Sequence, residues 1–218
     1  MRSIVENNIH GYDIDNQALT ITQILVKILL LINGETIEDL HFNLYHEDSL
    51  QSNKKFDVII GNPPYVRIQN IKEEYRQYLR QHYQSAANGN IDLYYIFLEN
   101  GLSRLHPGGK IGFITANSYF HAKSGKELRK ILLQGRHIEE IVNFDYIQVF
   151  DKRTTYSAIT ILSKDNQNKN IQFHYFPNSN ISMEHFDKAY KTKLVPYDSL
   201  SWEKFDFLSQ TELHLLRS

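Results

Sequence analysis

The sequence contains no cysteine, and this absence excludes several kinds of site at once. Disulfide bonds, thiolate nucleophiles and cysteine-based zinc centres are ruled out, and a chain without thiols fits a reducing compartment. The ten histidines show no metal-ligand spacing, so we expect no metal site.

An excess of charge and a long apolar run are also missing. The 24 basic and 25 acidic residues give a net charge of −1, so any contact with nucleic acid must be local. The most apolar run, residues 24–32, contains Lys27 and is too short to cross a bilayer. The start of the chain lacks the pattern of a signal peptide. We expect a soluble, cytoplasmic protein without membrane contact.

Apolar strands and helical patterns alternate along most of the chain. At 218 residues and 41% hydrophobic content, the chain can bury one main core. Asp15 is predicted to cap a helix that ends at Asn33-Gly34. Other predicted helices and strands alternate after it: helices at 75–83, 92–105 and 124–133, and strands at 42–45, 56–60, 110–115, 138–144, 157–162 and 171–175. This order predicts an α/β fold with a mostly parallel sheet, becoming more antiparallel toward the end.

One polar corner follows an apolar strand. Residues 56–60 form a short, mainly apolar predicted strand, which is followed by Gly61 and then by Asn62-Pro63-Pro64-Tyr65. In α/β sheets, ligands bind where strands of this kind end. The prolines hold the backbone extended and leave their carbonyls free to accept hydrogen bonds. The Asn62 oxygen and the Pro63 carbonyl could therefore bind both hydrogens of a planar amino group, while the Tyr65 ring stacks on its base. The alternative is an ordinary strand-terminating turn.

This corner resembles the NPPY motif of amino-methyltransferases. Residues 90–99 and 107–115 are similar to the helix and strand that follow the motif in TaqI-like and type IIG restriction-modification adenine methylases. The resemblance covers about residues 4–164 and implies a Rossmann-like methyltransferase domain, with S-adenosylmethionine as donor and DNA adenine as substrate. It assigns catalysis to Asn62, Pro63, Pro64 and Tyr65. Residues 165–218 are then a C-terminal extension leading toward a target-recognition region.

The same resemblance implies two cofactor-binding acids. Residues 11–15 are similar to the family's second motif, so Asp13 would bind the ribose hydroxyls of the donor. Asp48 matches the third motif, whose carboxylate accepts from the donor's adenine amino group. Glu47 is an alternative for that role, and both Asp13 and Asp48 could instead be plain loop or turn acids.

A second aromatic residue is implied for the target base. Residues 149–151 and 155–159 resemble the eighth motif, which places Phe150 opposite Tyr65 across the flipped base. Tyr156 is a nearby competitor, and Phe150 could instead anchor a loop.

The family's first motif, a strand followed by a glycine-rich turn around the methionine end of the donor, has no counterpart. None of the eight residues before Ile9 is glycine, and no glycine follows Gly135, which excludes circular permutation. We expect a fold that lacks its first strand, an incomplete donor site, and a chain that is inactive alone. A further segment or chain would supply the strand, and another would supply target recognition, since 54 residues after 164 are too few for it.

Three alternatives to adenine methylation stay open. The same motif serves methyltransferases acting on protein glutamine or on guanine of ribosomal RNA, and the chain could be a non-catalytic remnant or interaction module.

Five basic residues cluster near one predicted helix and could contact phosphate or form a solvated helix face: Lys123, Lys126, Arg129, Lys130 and Arg136.

Overall fold

The computed structural model describes residues 1–145, 147, 156–165, 167–176 and 190–209. The chain divides into two compact units, Met1–Lys54 and Lys55–Ser218. Among the described residues, no helix is long and apolar enough to cross a membrane.

The first unit is a strand-helix-strand arrangement preceded by a short helix. Helix α1 (Arg2–Asn7) leads into strand β1 (His10–Asp13), helix α2 (Asn16–Ile32) and strand β2 (Asn43–His46). Strands β1 and β2 pair in parallel, with His10 opposite Asn43 and Asp13 opposite His46. Because the strands are parallel, the chain must cross over between them, and α2 makes that connection.

Helix α2 begins and ends as its sequence predicts. The Asp15 carboxylate accepts a hydrogen bond from the Gln17 backbone N–H at 2.8 Å, which confirms the predicted cap. After the helix, Gly34 adopts φ +75°, a conformation that glycine tolerates best. Although Leu19 and Leu30 are buried, most of the apolar side chains of α2 are exposed: Ile21, Ile24, Leu25, Ile28, Leu29, Leu31 and Ile32.

The second unit contains a six-stranded sheet in the order β3-β4-β6-β5-β7-β8. Its strands are β3 (Phe56–Gly61), β4 (Leu105–Ala116), β5 (Ile138–Asn143), β6 (Ser157–Ser163), β7 (Asn170–Tyr175) and β8 (Lys191–Pro196). The β3-β4 and β5-β7 pairs are parallel, whereas β6 pairs antiparallel with both β4 and β5, and β8 antiparallel with β7. The sheet is therefore mixed, with the antiparallel pairings brought in by strands late in the chain.

Three helices of the second unit are α3 (Glu73–His82), α4 (Leu93–Ser103) and α5 (Lys126–Gln134). Helix α4 packs closely on β4, because a Cβ atom at Gly101 would lie 2.8 Å from Ile111 Cδ1. Its aromatic residues Tyr94 and Tyr95 are buried in the core.

Strand β3 is the edge of the sheet, and one side of it is uncovered. Val58 is 65% exposed and Ile60 is 79% exposed, although both are large and apolar. They lie opposite Lys110 and Gly112 of β4 and so share one face of the sheet. An edge strand with exposed apolar side chains is a surface on which another strand can pair.

Candidate functional site

The polar corner lies where β3 ends. Gly61 is the last residue paired with β4, opposite Phe113, and the chain then enters Asn62-Pro63-Pro64-Tyr65. Asn62 and Pro64 are exposed, whereas Pro63 is buried. Within the described part of the chain, the Asn62 side chain makes no hydrogen bond, so its amide is available to a ligand.

The Tyr65 ring is held in place by residues from β4 and α4. Its hydroxyl donates to the Ile114 carbonyl at 3.3 Å, and its ring meets Tyr94 edge to face at 6.1 Å between centroids. Tyr94 in turn shares a hydrogen bond of 2.9 Å with the Ser118 hydroxyl. Burial raises the pKa of Tyr94 well above its ordinary value, so the phenol stays neutral. A half-buried ring with fixed supports suits stacking on a planar base.

Two amide side chains that sequence reasoning missed meet at the same end of the sheet. Asn117 follows β4, Asn143 ends β5, and the Asn117 side-chain amide donates to the Asn143 side-chain oxygen at 2.9 Å. The Tyr156 carbonyl lies beside them and accepts from the Asn117 backbone N–H at 2.9 Å. A polar residue directly after an apolar strand was the available signal for Asn117. Asn143 lies within the predicted strand 138–144 and carries no such signal.

An acid, Asp92, precedes helix α4, whose Tyr94 contacts the Tyr65 ring. Asp92, which precedes α4, pairs through its backbone with Arg67 in an antiparallel bridge. Burial raises the pKa of the Asp92 carboxyl, and the nearby Arg67 charge opposes that rise. The Asp92 side chain makes no capping hydrogen bond to the helix.

In the first unit, the structure brings Asp13 and Asp48 to the same end of two adjacent strands. Asp13 ends β1, and its backbone carbonyl accepts from the Glu47 N–H at 3.1 Å. One Asp13 carboxylate oxygen accepts from the Asp15 N–H at 2.8 Å. Asp48 Oδ1 accepts from the Leu50 N–H at 3.0 Å, which caps a short turn.

The two acids are therefore not equivalent. Asp13 is half-buried, and its second carboxylate oxygen accepts nothing from the described residues. Asp48 already stabilises its own turn with both oxygens, since Oδ2 accepts from Gln51 Nε2 at 3.5 Å. Glu47, the alternative to Asp48, is exposed. Asp13 and Glu47 therefore have carboxylate oxygens that accept nothing from the described residues, whereas Asp48 uses both of its oxygens in its turn.

The predicted second stacking residue, Phe150, lies outside the described residues. Its competitor Tyr156 is described and is half exposed. No group of three or more potential metal ligands occurs in the described parts of the chain.

The basic cluster around α5 is largely occupied by protein partners. Arg129 is fully buried and donates to the backbone carbonyls of Tyr119, Ala122, Trp202 and Glu203. Lys126 pairs with Glu203, Lys130 with Glu127 and Arg136 with Asp198. Arg129 is thus neither a phosphate contact nor part of a solvated face, because its guanidinium binds the chain itself.

Comparison with known proteins decides the family. The model of the Eco57I restriction-modification methylases matches residues 7–150, which is well over half of the chain. The chain belongs to this family. The matched region includes both acids and the Asn62–Tyr65 corner.

Two curated relatives cover parts of the same region. The chain is 33% identical over 127 residues to the type II restriction enzyme and methyltransferase RM.Eco57I of Escherichia coli, spanning 56% of this chain and 12% of that protein. It is 32% identical over 146 residues to the type II methyltransferase M.BstVI of Geobacillus stearothermophilus, spanning 66% of this chain and 26% of that protein. The matched part of this Eco57I-family chain thus spans only 12% and 26% of the lengths of these two relatives.

Solved structures confirm the Rossmann-like α/β fold. The type IIG restriction endonuclease BpuSI superimposes with a TM-score of 0.65 at 16% identity, covering 88% of this chain and 26% of that chain. A putative class I S-adenosylmethionine-dependent methyltransferase of Listeria monocytogenes gives a TM-score of 0.54 at 17% identity, covering 79% and 61%. This Eco57I-family chain therefore has a methyltransferase fold with a mixed sheet.

Proposed function

We propose that this chain carries the target-base part of a DNA adenine methyltransferase of the restriction-modification type. The enzyme would transfer a methyl group from S-adenosylmethionine to the exocyclic amino nitrogen of adenine. The observation that carries the proposal is the Asn62 amide, exposed and free of hydrogen bonds within the described residues, at the proline-stiffened end of β3. DNA as substrate implies a cytoplasmic enzyme, which is the location we propose.

The corner suits the activation of an amino group. The Asn62 side-chain oxygen and the Pro63 carbonyl would each accept one hydrogen of the adenine amino group. These hydrogen bonds draw the nitrogen lone pair out of conjugation with the ring and make it nucleophilic. When bound, S-adenosylmethionine supplies a methyl group on a positively charged sulfur. The extra proton leaves the nitrogen after the transfer, so no strong base is needed at Asn62.

Stacking would hold the base against the corner. An adenine inside a duplex must be extruded before its amino group can be reached. Tyr65, supported by Tyr94 and by the Ile114 carbonyl, offers one ring face to the extruded base. We propose Phe150 for the opposite face, by resemblance to the family's eighth motif.

The acids of the first unit fit the ribose and adenine end of the donor. We propose that Asp13 accepts hydrogen bonds from the two ribose hydroxyls, because one of its carboxylate oxygens accepts nothing from the described residues. We propose, by resemblance to the family's third motif, that Asp48 accepts from the donor's adenine amino group. This is the same physics by which an acid at a strand end binds ribose in dinucleotide sites.

We also propose that a strand from outside these 218 residues pairs with β3. The exposed Val58 and Ile60 on the edge strand support this. The same added region would complete the methionine end of the donor site. In this proposal, residues 1–164 are a partial catalytic domain and residues 165–218 lead toward target recognition, which lies elsewhere.

The function is tested by completing the catalytic domain. The regions of M.BstVI that precede and follow its matched segment are joined to this chain, and nucleosides are analysed after reaction with labelled S-adenosylmethionine and duplex DNA. We expect N6-methyladenine from the completed protein and none from the chain alone. Asn62→Ala should abolish the product, whereas Asn88→Ala, at an exposed asparagine elsewhere, should not.

Other outcomes would contradict the proposal. Label in guanine of ribosomal RNA, or in glutamine of protein, would assign the corner to a different planar nitrogen. A folded, completed protein that labels nothing would indicate a non-catalytic interaction module.

A further inference from the structure

Arg67 lies two residues beyond the stacking tyrosine, on backbone that is firmly fixed. Residues 66–68 run antiparallel to residues 91–93: the Leu93 N–H donates to the Val66 carbonyl at 2.8 Å, and the Ile68 N–H donates to the Ile91 carbonyl at 2.9 Å. Ile68 and Ile91 are completely buried. The backbone at Arg67 is therefore anchored beside the base corner.

The Arg67 guanidinium is not held by other protein groups at short range. It is exposed and makes no hydrogen bond or ion pair within 4 Å in the described parts of the chain. Its electrostatic interaction there is with Asp92, the residue opposite it. Arg76 differs, since it pairs with Glu73 on its own helix.

We propose that Arg67 contacts a backbone phosphate next to the extruded adenine, and that Asp92 competes with this phosphate for the guanidinium. The inference rests on the proposed function, because an extruded nucleotide keeps its two flanking phosphates at the rim of the base pocket. A guanidinium matches phosphate geometry and retains its charge. Arg67 thus positions the DNA strand, while Asn62 and Tyr65 bind the base.

Salt dependence of DNA binding tests this role. The chain is titrated into a fluorescein-labelled duplex carrying one unpaired adenine, and anisotropy is followed at several sodium chloride concentrations. Each phosphate contact adds about 0.9 to the steepness of the plot of log affinity against log salt. Arg67→Gln should lower that steepness by about 0.9 and weaken binding to all sequences alike. Arg67→Lys should keep most of the steepness of the native chain.

Two further variants separate a phosphate contact from a general effect. Arg76→Gln removes an arginine already paired with Glu73, so the slope should not change. Asp92→Asn removes the competing charge, so it should tighten binding in the native background but not together with Arg67→Gln. A purely structural role of Arg67 gives no such coupling.

The inference is overturned if the native chain does not bind the duplex, if Arg67→Gln keeps the native slope, or if Arg76→Gln lowers it equally. These failures are distinct from failure of the proposed function, which is read by methylation in the completed enzyme. Asn62→Ala should leave the salt slope unchanged, because Asn62 is proposed to contact the base.

Discussion

Replacing Arg129 by methionine should loosen the segment that contains Trp202. Arg129 is fully buried and makes four hydrogen bonds to backbone carbonyls, at distances between 2.6 and 2.8 Å. A hydrogen bond to a charged group contributes about 1.5–3 kcal/mol. Burial lowers the pKa of Arg129, which reflects the cost of keeping its charge away from water. That cost is removed with the charge, so we expect a net loss of about 3 kcal/mol rather than the full sum.

The chain has one tryptophan, Trp202, whose backbone carbonyl accepts a hydrogen bond from Arg129 Nε. Trp202 fluorescence during urea unfolding therefore reports this contact, while far-UV circular dichroism follows the whole chain. In Arg129→Met, the fluorescence midpoint should fall by about 1–2 M urea. Lys130→Met, on the same helix but at a salt bridge with Glu127, is the matched control and should change little. A fluorescence midpoint for Arg129→Met equal to that of Lys130→Met would refute the reasoning.

Three other predictions concern the two sites. Tyr65→Phe should keep most activity of the completed enzyme, because the hydrogen bond from the Tyr65 hydroxyl to the Ile114 carbonyl is long. Tyr65→Leu should instead raise KM for DNA about tenfold or more, because stacking on the base is lost. Equal effects of the two variants would contradict the stacking role. Asp13→Asn should weaken the binding of S-adenosylmethionine to the completed enzyme, measured by calorimetry, more than Asp48→Asn does, since Asp48 already caps a turn. The reverse order would exchange the roles of the two acids. Asp92→Asn should raise thermal stability at pH 7, because a carboxyl with a raised pKa stabilises the fold only when protonated; the gain should vanish below the ordinary pKa of 3.8.

Much of the fold follows from local sequence. Strand β3 is an apolar run stopped by Gly61 and the prolines, and α2 has both its cap and its stop encoded locally. Strand β8 was missed, because Lys191–Pro196 has little apolar character and is defined by pairing with β7. Helix α1 was also missed, since its six residues are too few to show a helical pattern. The strand predicted at 110–115 is longer in the structure, because β4 starts at Leu105, opposite Phe56.

The site was only partly predictable for a related reason. Asn62 and Tyr65 are marked by their own neighbours in sequence, but the carbonyl that accepts from Tyr65 lies 49 residues away at Ile114. The burial of Arg129 likewise depends on carbonyls more than 70 residues further along the chain. Local patterns thus identify the residues that end a strand, while contacts between distant elements determine what supports them.

The central claim is that Asn62 recognises the exocyclic amino group of adenine. It is tested most directly by comparing binding of this chain to two duplexes that differ at one unpaired position, adenine in one and purine without the amino group in the other. We expect adenine to be preferred by about 1 kcal/mol, or roughly fivefold, and the preference to shrink in Asn62→Ala, where only the Pro63 carbonyl is left to accept. Equal affinity of the native chain for both duplexes, or an unchanged preference in Asn62→Ala, would contradict the account.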